Sequence, residues 1–206
     1  MISVITGDIV HSRQQKDPTD WLNPLKRLFN QMGTSPDRWE IYRGDSFQIE
    51  KPPTEALLTA LQIKSVVRQV RGLDARIAIG IGKKSYESPR ISESTGEAFI
   101  RSGQLLERLK EQKMTMGIAT FDRDFDEEIN MMLKLALIVL NSWSVNSAEM
   151  AEIMLTHPEL SQTKIGNQLG IAQSSVSERI HRGSLYEILE LENYYRKRVQ
   201  RLTPDI

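Results

Sequence analysis

The sequence contains no cysteine. Disulfides and thiolate metal sites are therefore excluded, and with only three histidines soft metal ligands are scarce. A surplus of one charge is also missing, since 27 Lys and Arg balance 27 Asp and Glu. The whole chain thus offers no electrostatic footprint for nucleic acid or an anionic membrane, although neutrality leaves room for a local patch. No apolar run is long enough to span a bilayer comfortably. The most apolar stretch, INMMLKLALIVLNSW (129–143), is broken by Lys134 and reads as a core helix. The start of the sequence lacks a basic segment followed by an apolar one, so no secretory signal and a cytoplasmic location are expected.

What is present is 206 residues with 39% hydrophobic and 26% charged side chains, enough for one sizeable domain or a medium and a small one. Ile2, Val4 and Ile5 begin a buried strand. Leu22, Leu25, Leu28, Phe29 and Met32 recur at three and four as on an amphipathic helix that ends at Gly33. RWEIYRGDSFQIEK (38–51) alternates around a Gly-Asp turn and predicts a hairpin. A second helix follows over 54–70, then the strand DARIAIGIG (74–82). KKSYESPRISEST (83–95) is polar and irregular and reads as a mobile loop. A helix over 96–109, a last strand MTMGIAT (114–120) and a long helix over 124–143 complete this part. The first six elements run βαββαβ, the ferredoxin-like order, which predicts an antiparallel sheet with helices on one face.

The first strand runs straight into Gly7-Asp8, and a carboxylate there needs compensation. In the expected sheet, Asp8 and Asp45 of the hairpin turn face each other across one edge. Two carboxylates so placed repel unless a divalent cation sits between them, which suits Mg²⁺ or Mn²⁺ with phosphate oxygens completing the shell. Gly7 and Gly44, directly before them, would let a triphosphate approach the backbone. Arg13, Arg43, Lys83 and Lys84, with Arg90 and Arg101 beyond them, are placed in loops beside the pair as phosphate-binding candidates. The competing explanation is that Gly-Asp is good turn chemistry in both places and the basic residues are a solvated surface.

VITGDIVHSR, YRGDSFQIE, ARIAIGIG and GEAFIRSGQLLERL follow the order of four blocks of class III nucleotidyl cyclase domains. The chain also resembles, more closely, the SatD family of bacterial proteins, and the likeness spans about the first two-thirds. The resemblance implies a palm-like fold and metal-dependent nucleotide binding at Asp8 and Asp45. At the positions where cyclases orient the ribose and stabilise phosphoryl charge, this sequence has Ile100 and Gln104. Neither side chain can do that work, so binding is expected rather than cyclisation.

The C-terminal segment SQTKIGNQLGIAQSSVSERIHRG (161–183) resembles a bacterial helix-turn-helix. Ser161 suits an N-cap, Ile165 and Leu169 lie four apart, and small Gly166 permits a close helix crossing. Gly170 supplies the left-handed turn, Ile171 plugs the space between the helices, and Val176 and Ile180 point inward. The exposed face then offers Gln173, Ser174, Ser175 and Ser177 to DNA, with Arg179 and Arg182 near phosphates. From Asn146 on there are seven basic residues against eight acids, Asp205 included, which weakens the electrostatic case.

The expected fold is therefore α+β: a cyclase-like ferredoxin domain over 1–122, a connecting helix over 123–145 and an all-α helix-turn-helix domain over 146–206. The expected partners are a nucleoside triphosphate or other nucleotide, double-stranded DNA and a second copy of the chain, with no membrane. A metal-dependent nucleotidyl-transfer enzyme, with the helix-turn-helix used for dimerisation, is the alternative.

Overall fold

The computed structural model describes residues 1–203. Residues 204–206, including Asp205, lie outside the described residues. The elements are β1 (Ile2–Val10), α1 (Thr19–Met32), β2 (Trp39–Tyr42), β3 (Ser46–Lys51), α2 (Ala56–Arg68) and β4 (Asp74–Gly82). They continue with β5 (Lys84–Tyr86), β6 (Thr95–Gly96), α3 (Glu97–Glu111), β7 (Met116–Ala119), α4 (Arg123–Leu140), α5 (Val145–Thr156), α6 (Gln162–Leu169), α7 (Gln173–Gly183) and α8 (Leu185–Leu202). The protein is thus mixed α+β.

Five strands form one sheet in the order β2-β3-β1-β4-β7. β1 lies antiparallel between β3 and β4, while β7 runs parallel to β4. β4 shows why both faces of the sheet are covered. Its Ala75, Ile77, Ile79 and Ile81 join the main apolar cluster with Leu57 and Leu61 of α2. Ala78 packs instead with Leu105, Leu106 and Leu109 of α3. Alternation along a strand sends successive side chains to opposite faces, so a nearly continuous apolar run means a strand buried on both.

The main cluster does not stop at the sheet. It runs through α2 to Ala148, Met150 and Leu155 of α5, Ile165 of α6, Val176 of α7 and Tyr195 and Val199 of α8. α2 is buried almost all round, as expected of a helix wedged between a sheet and further helices. Tyr195 is fully buried, and its hydroxyl donates to Pro53 O at 2.7 Å, fastening α8 to the turn before α2.

Two sequence expectations change. The polar stretch 83–95 is organised rather than irregular: β5 pairs with β6, a short 3-10 turn spans Ile91–Glu93, and Ser88 and Ser94 are buried. The long helix stops at Leu140, three residues before Trp143, whose indole is buried and donates to Gly183 O at 2.9 Å. No helix among the described residues is long and apolar enough to cross a membrane.

Candidate functional site

Register decides what meets Asp8. In β1 it lies opposite Ser46 of β3 on one side and Arg76 of β4 on the other. Tyr42 pairs with Ser46, so Arg43, Gly44 and Asp45 form the hairpin loop. Arg43 (φ 52°) and Gly44 (φ 89°) both take left-handed backbone there, a conformation for which glycine is the cheapest residue. Ile9 N donates to Asp45 O at 3.1 Å and ties this loop to β1. Asp8 and Asp45, thirty-seven positions apart in sequence, therefore line one open cleft of about 450 Å³. His11, Ser12, Arg13, Gln14, Arg76 and Lys110 line it with them.

The carboxylates are compensated within the protein. Arg76 Nη1 lies 3.0 and 3.3 Å from the two oxygens of Asp8, and Lys110 Nζ lies 3.6 Å away. Ser12 donates to Asp45 at 2.6 Å. The carboxylates of Glu107 and Asp8 hold the Lys110 ammonium above the usual lysine range. Three fixed positive charges (Arg13, Arg76, Lys110) thus face two negative ones in this cleft. Mg²⁺ is held by one or two carboxylates together with phosphate oxygens and water. Both Asp8 oxygens are engaged by Arg76, and no group of three or more His, Asp or Glu among the described residues could hold a metal. As it stands, the arrangement would seat Mg²⁺ or Mn²⁺ at Asp8 only if the Arg76 guanidinium moved off the carboxylate.

It fits an anion. Besides its cations, the cleft has a backbone feature with the right polarity. His11 is left-handed (φ 66°, ψ 16°) and leads into the 3-10 turn Ser12–Gln14. A left-handed residue followed by right-handed ones turns successive backbone N–H groups toward one concave side, which favours anions.

The other predicted phosphate ligands divide sharply. Arg13 lines the cleft, and exposed Arg43 sits in the loop that ends at Asp45. Lys83 and Lys84 do not belong there. β4 runs antiparallel to β1, so its end at Gly82 lies opposite Ile2. That is six residues from the Asp8–Arg76 pair, about 20 Å at strand rise. Lys84 is held there by Glu50 (2.6 Å) and Glu87 (2.9 Å). Arg101 at that end pairs with Glu97, and Arg90 with Glu40. Gly7 is no ligand approach either. A Cβ there would lie 2.3 Å from the Phe47 ring and 2.5 Å from Arg76 O, so the space is already filled. Lys110, His11 and Ser12 were not predicted. The part played by Arg76 follows only from the β1–β4 register.

No family profile matches the chain, and no curated protein or solved structure matches it. Chemistry must therefore carry the assignment.

The second surface lies on α6 and α7. Ser161 caps α6 by accepting from Lys164 N, and Gly170 ends it in left-handed backbone (φ 66°). A Cβ on Gly166 would lie 2.8 Å from Ile171 O, so only glycine permits this crossing. Val176 and Ile180 are buried, leaving the first turn of α7 outward with Gln173 and Ser174 exposed. Ser175 and Ser177 are half-buried. Arg179 departs from expectation: it turns toward α5 and pairs with Glu149 at 2.8 Å. Arg182 is exposed but pairs with Glu178 at 2.6 Å.

Proposed function

We propose that this chain is a SatD-like DNA-binding regulatory protein whose α6–α7 pair acts as a helix-turn-helix and whose sheet-end cleft binds a phosphate-bearing nucleotide. The observation that carries the DNA reading is the two-sided character of α7. Val176 and Ile180 are packed inward while Gln173 and Ser174 project from its first turn, the end of a recognition helix that reaches base edges. The strand order β2-β3-β1-β4, with β1 between its two antiparallel neighbours, supports a ferredoxin-like, palm-like reading of the first part. The cleft's cations support a ligand with phosphate groups held directly by Arg13, Arg76 and Lys110. The protein acts as a homodimer, because one such unit offers few base contacts.

Fluorescence anisotropy of the full chain with a labelled duplex, across a salt series, tests the DNA reading. The expected slope of log K against log salt is shallow, about two to four phosphates, because Arg179 and Arg182 are already paired. Absence of any salt-sensitive binding overturns it. For the cleft, calorimetry with ATP in the presence and absence of Mg²⁺ is decisive. Direct phosphate binding predicts affinity without Mg²⁺, an increase for Asp8→Asn as Arg76 is released, and a loss of about tenfold or more for Arg76→Ala. Strictly Mg²⁺-dependent binding abolished by Asp8→Asn would restore the two-carboxylate metal site instead.

A further inference from the structure

Two neighbouring helices, α4 and α8, carry an outward face with a definite pattern. They run antiparallel. Trp143, just after α4, donates its indole N–H to Gly183 O just before α8, while Glu128 near the start of α4 meets Tyr194 and Arg198 of α8. Between those ties α4 leaves Met131, Leu135 and Ile138 exposed by 61%, 63% and 72%. Their spacing of four and three puts them on one stripe, beside the first half of α8. A contiguous apolar stripe facing water marks contact with another molecule.

The charges of α8 identify that molecule. Its exposed residues Glu187, Glu190, Tyr194, Lys197 and Arg201 are spaced three, four, three and four, as along a helix-pairing seam. Two acids precede the tyrosine and two bases follow it. Glu187 and Arg201 are each seven positions from Tyr194, with Glu190 four before it and Lys197 three after. Within one helix this order is unfavourable, because like charges three or four residues apart repel. The helix dipole offsets charges only in the first and last turns, and Glu190 and Lys197 lie inside those turns.

We infer that the α4–α8 face joins two copies of this chain, with their α8 helices antiparallel and Tyr194 on the two-fold axis. The inference rests on the homodimer reading above and gives it a surface. Reversal about Tyr194 sets Glu187 against the partner's Arg201 and Glu190 against the partner's Lys197, and symmetry repeats both pairs. A two-fold contact must be self-complementary in this way. A parallel pairing would set acid on acid and base on base. A duplex would be repelled by the acidic half. The same reversal brings the partner's basic half over the acidic half of α8, where the α4 stripe lies. The methylene stems of the partner's Lys197 and Arg201 then cover Met131, Leu135 and Ile138 while their charged ends reach the glutamates. Charge sets the alignment, and apolar burial supplies the affinity, since exposed ion pairs contribute little.

The test is sedimentation equilibrium of the full chain without DNA, over a concentration series. Wild type is expected to reach twice the mass of one chain. One variant carries Glu187→Lys and Glu190→Lys, another Lys197→Glu and Arg201→Glu. Each alone opposes like charges and is expected to dissociate about tenfold more readily than wild type. Mixed in equal amounts they are complementary again, and a one-to-one dimer of about wild-type affinity is expected. That recovery would also show that both variants fold. Leu135→Ser with Ile138→Ser is expected to weaken the dimer by about tenfold or more with an unchanged circular dichroism spectrum. A wild-type dimer that the charge reversals or the apolar variant leave as tight overturns the inference and leaves the homodimer reading standing. So do two weakened variants that fail to pair when mixed. A wild-type chain that stays single at every concentration removes both.

Discussion

Gly80 lies where α3 crosses β4. A Cβ built on it would be 2.2 Å from Ala98 O and 2.5 Å from Ser102 N, both backbone atoms that cannot rotate aside. Gly80→Ala must therefore lift α3 from the sheet. We expect a loss of about 2–3 kcal/mol, read as a lower urea midpoint. Residues of this kind are half legible in sequence: DARIAIGIG declares a buried strand, but not which glycine a helix presses on. Asp8 behaves the same way. Its pairing with Asp45 in one cleft follows from the βαββαβ order. Its charge partner does not, because Arg76 becomes its neighbour only when the exact β1–β4 register is set, and Lys110 only when the phase of α3 is. A linear pattern carries neither. The loops around Asp8 were thus credited with lysines that the register sends to the opposite end of the sheet.

Among the elements, β7 is the outer strand beside β4, and an outer strand exposes unpaired backbone groups. Asn130 of α4 closes part of that edge. Its Nδ2 donates to Ile118 O and its Oδ1 accepts from Ile118 N, each at 2.8 Å, so one side-chain amide imitates a neighbouring strand. Asn130→Ala removes both partners from a buried residue. The expected cost is about 2 kcal/mol with increased light scattering on mild heating, as the freed edge recruits other chains. A mid-helix asparagine gives no sign of this task in sequence. The α6–α7 pair was more legible, since capping serine, crossing glycine and turn glycine each stand where backbone geometry demands them. Arg179 was misplaced for a plain reason. It lies three residues after buried Val176 and beside buried Ile180, so it flanks the inner stripe and meets Glu149 of α5.

On the scale of the whole molecule, one apolar cluster joins the sheet, α2 and the C-terminal helices, and Tyr195 is its most telling link. Burial pushes its hydroxyl well above the ordinary tyrosine range, with the Glu192 carboxylate adding to the effect. The folded state therefore keeps the proton while the unfolded chain releases it above about pH 10. Stability from this group is constant below that pH and is lost as pH rises beyond it. Tyr195→Phe leaves Pro53 O without its donor and is expected to cost about 1 kcal/mol at pH 8. Urea unfolding repeated near pH 11 should show that deficit shrinking or reversing, because the variant has no phenol to ionise. A constant deficit would contradict the burial.

α2, enclosed by the sheet on one side and by α5 and α8 on the other, has a mechanical consequence. A helix gripped on all sides cannot act as a hinge, since rotating one neighbour would open a void against the other. Under the function proposed above, a ligand in the sheet-end cleft therefore could not reach α7 by swinging it within one chain. On that proposal the message would travel as the placement of one rigid copy against another, a change in spacing rather than an angle inside the protein.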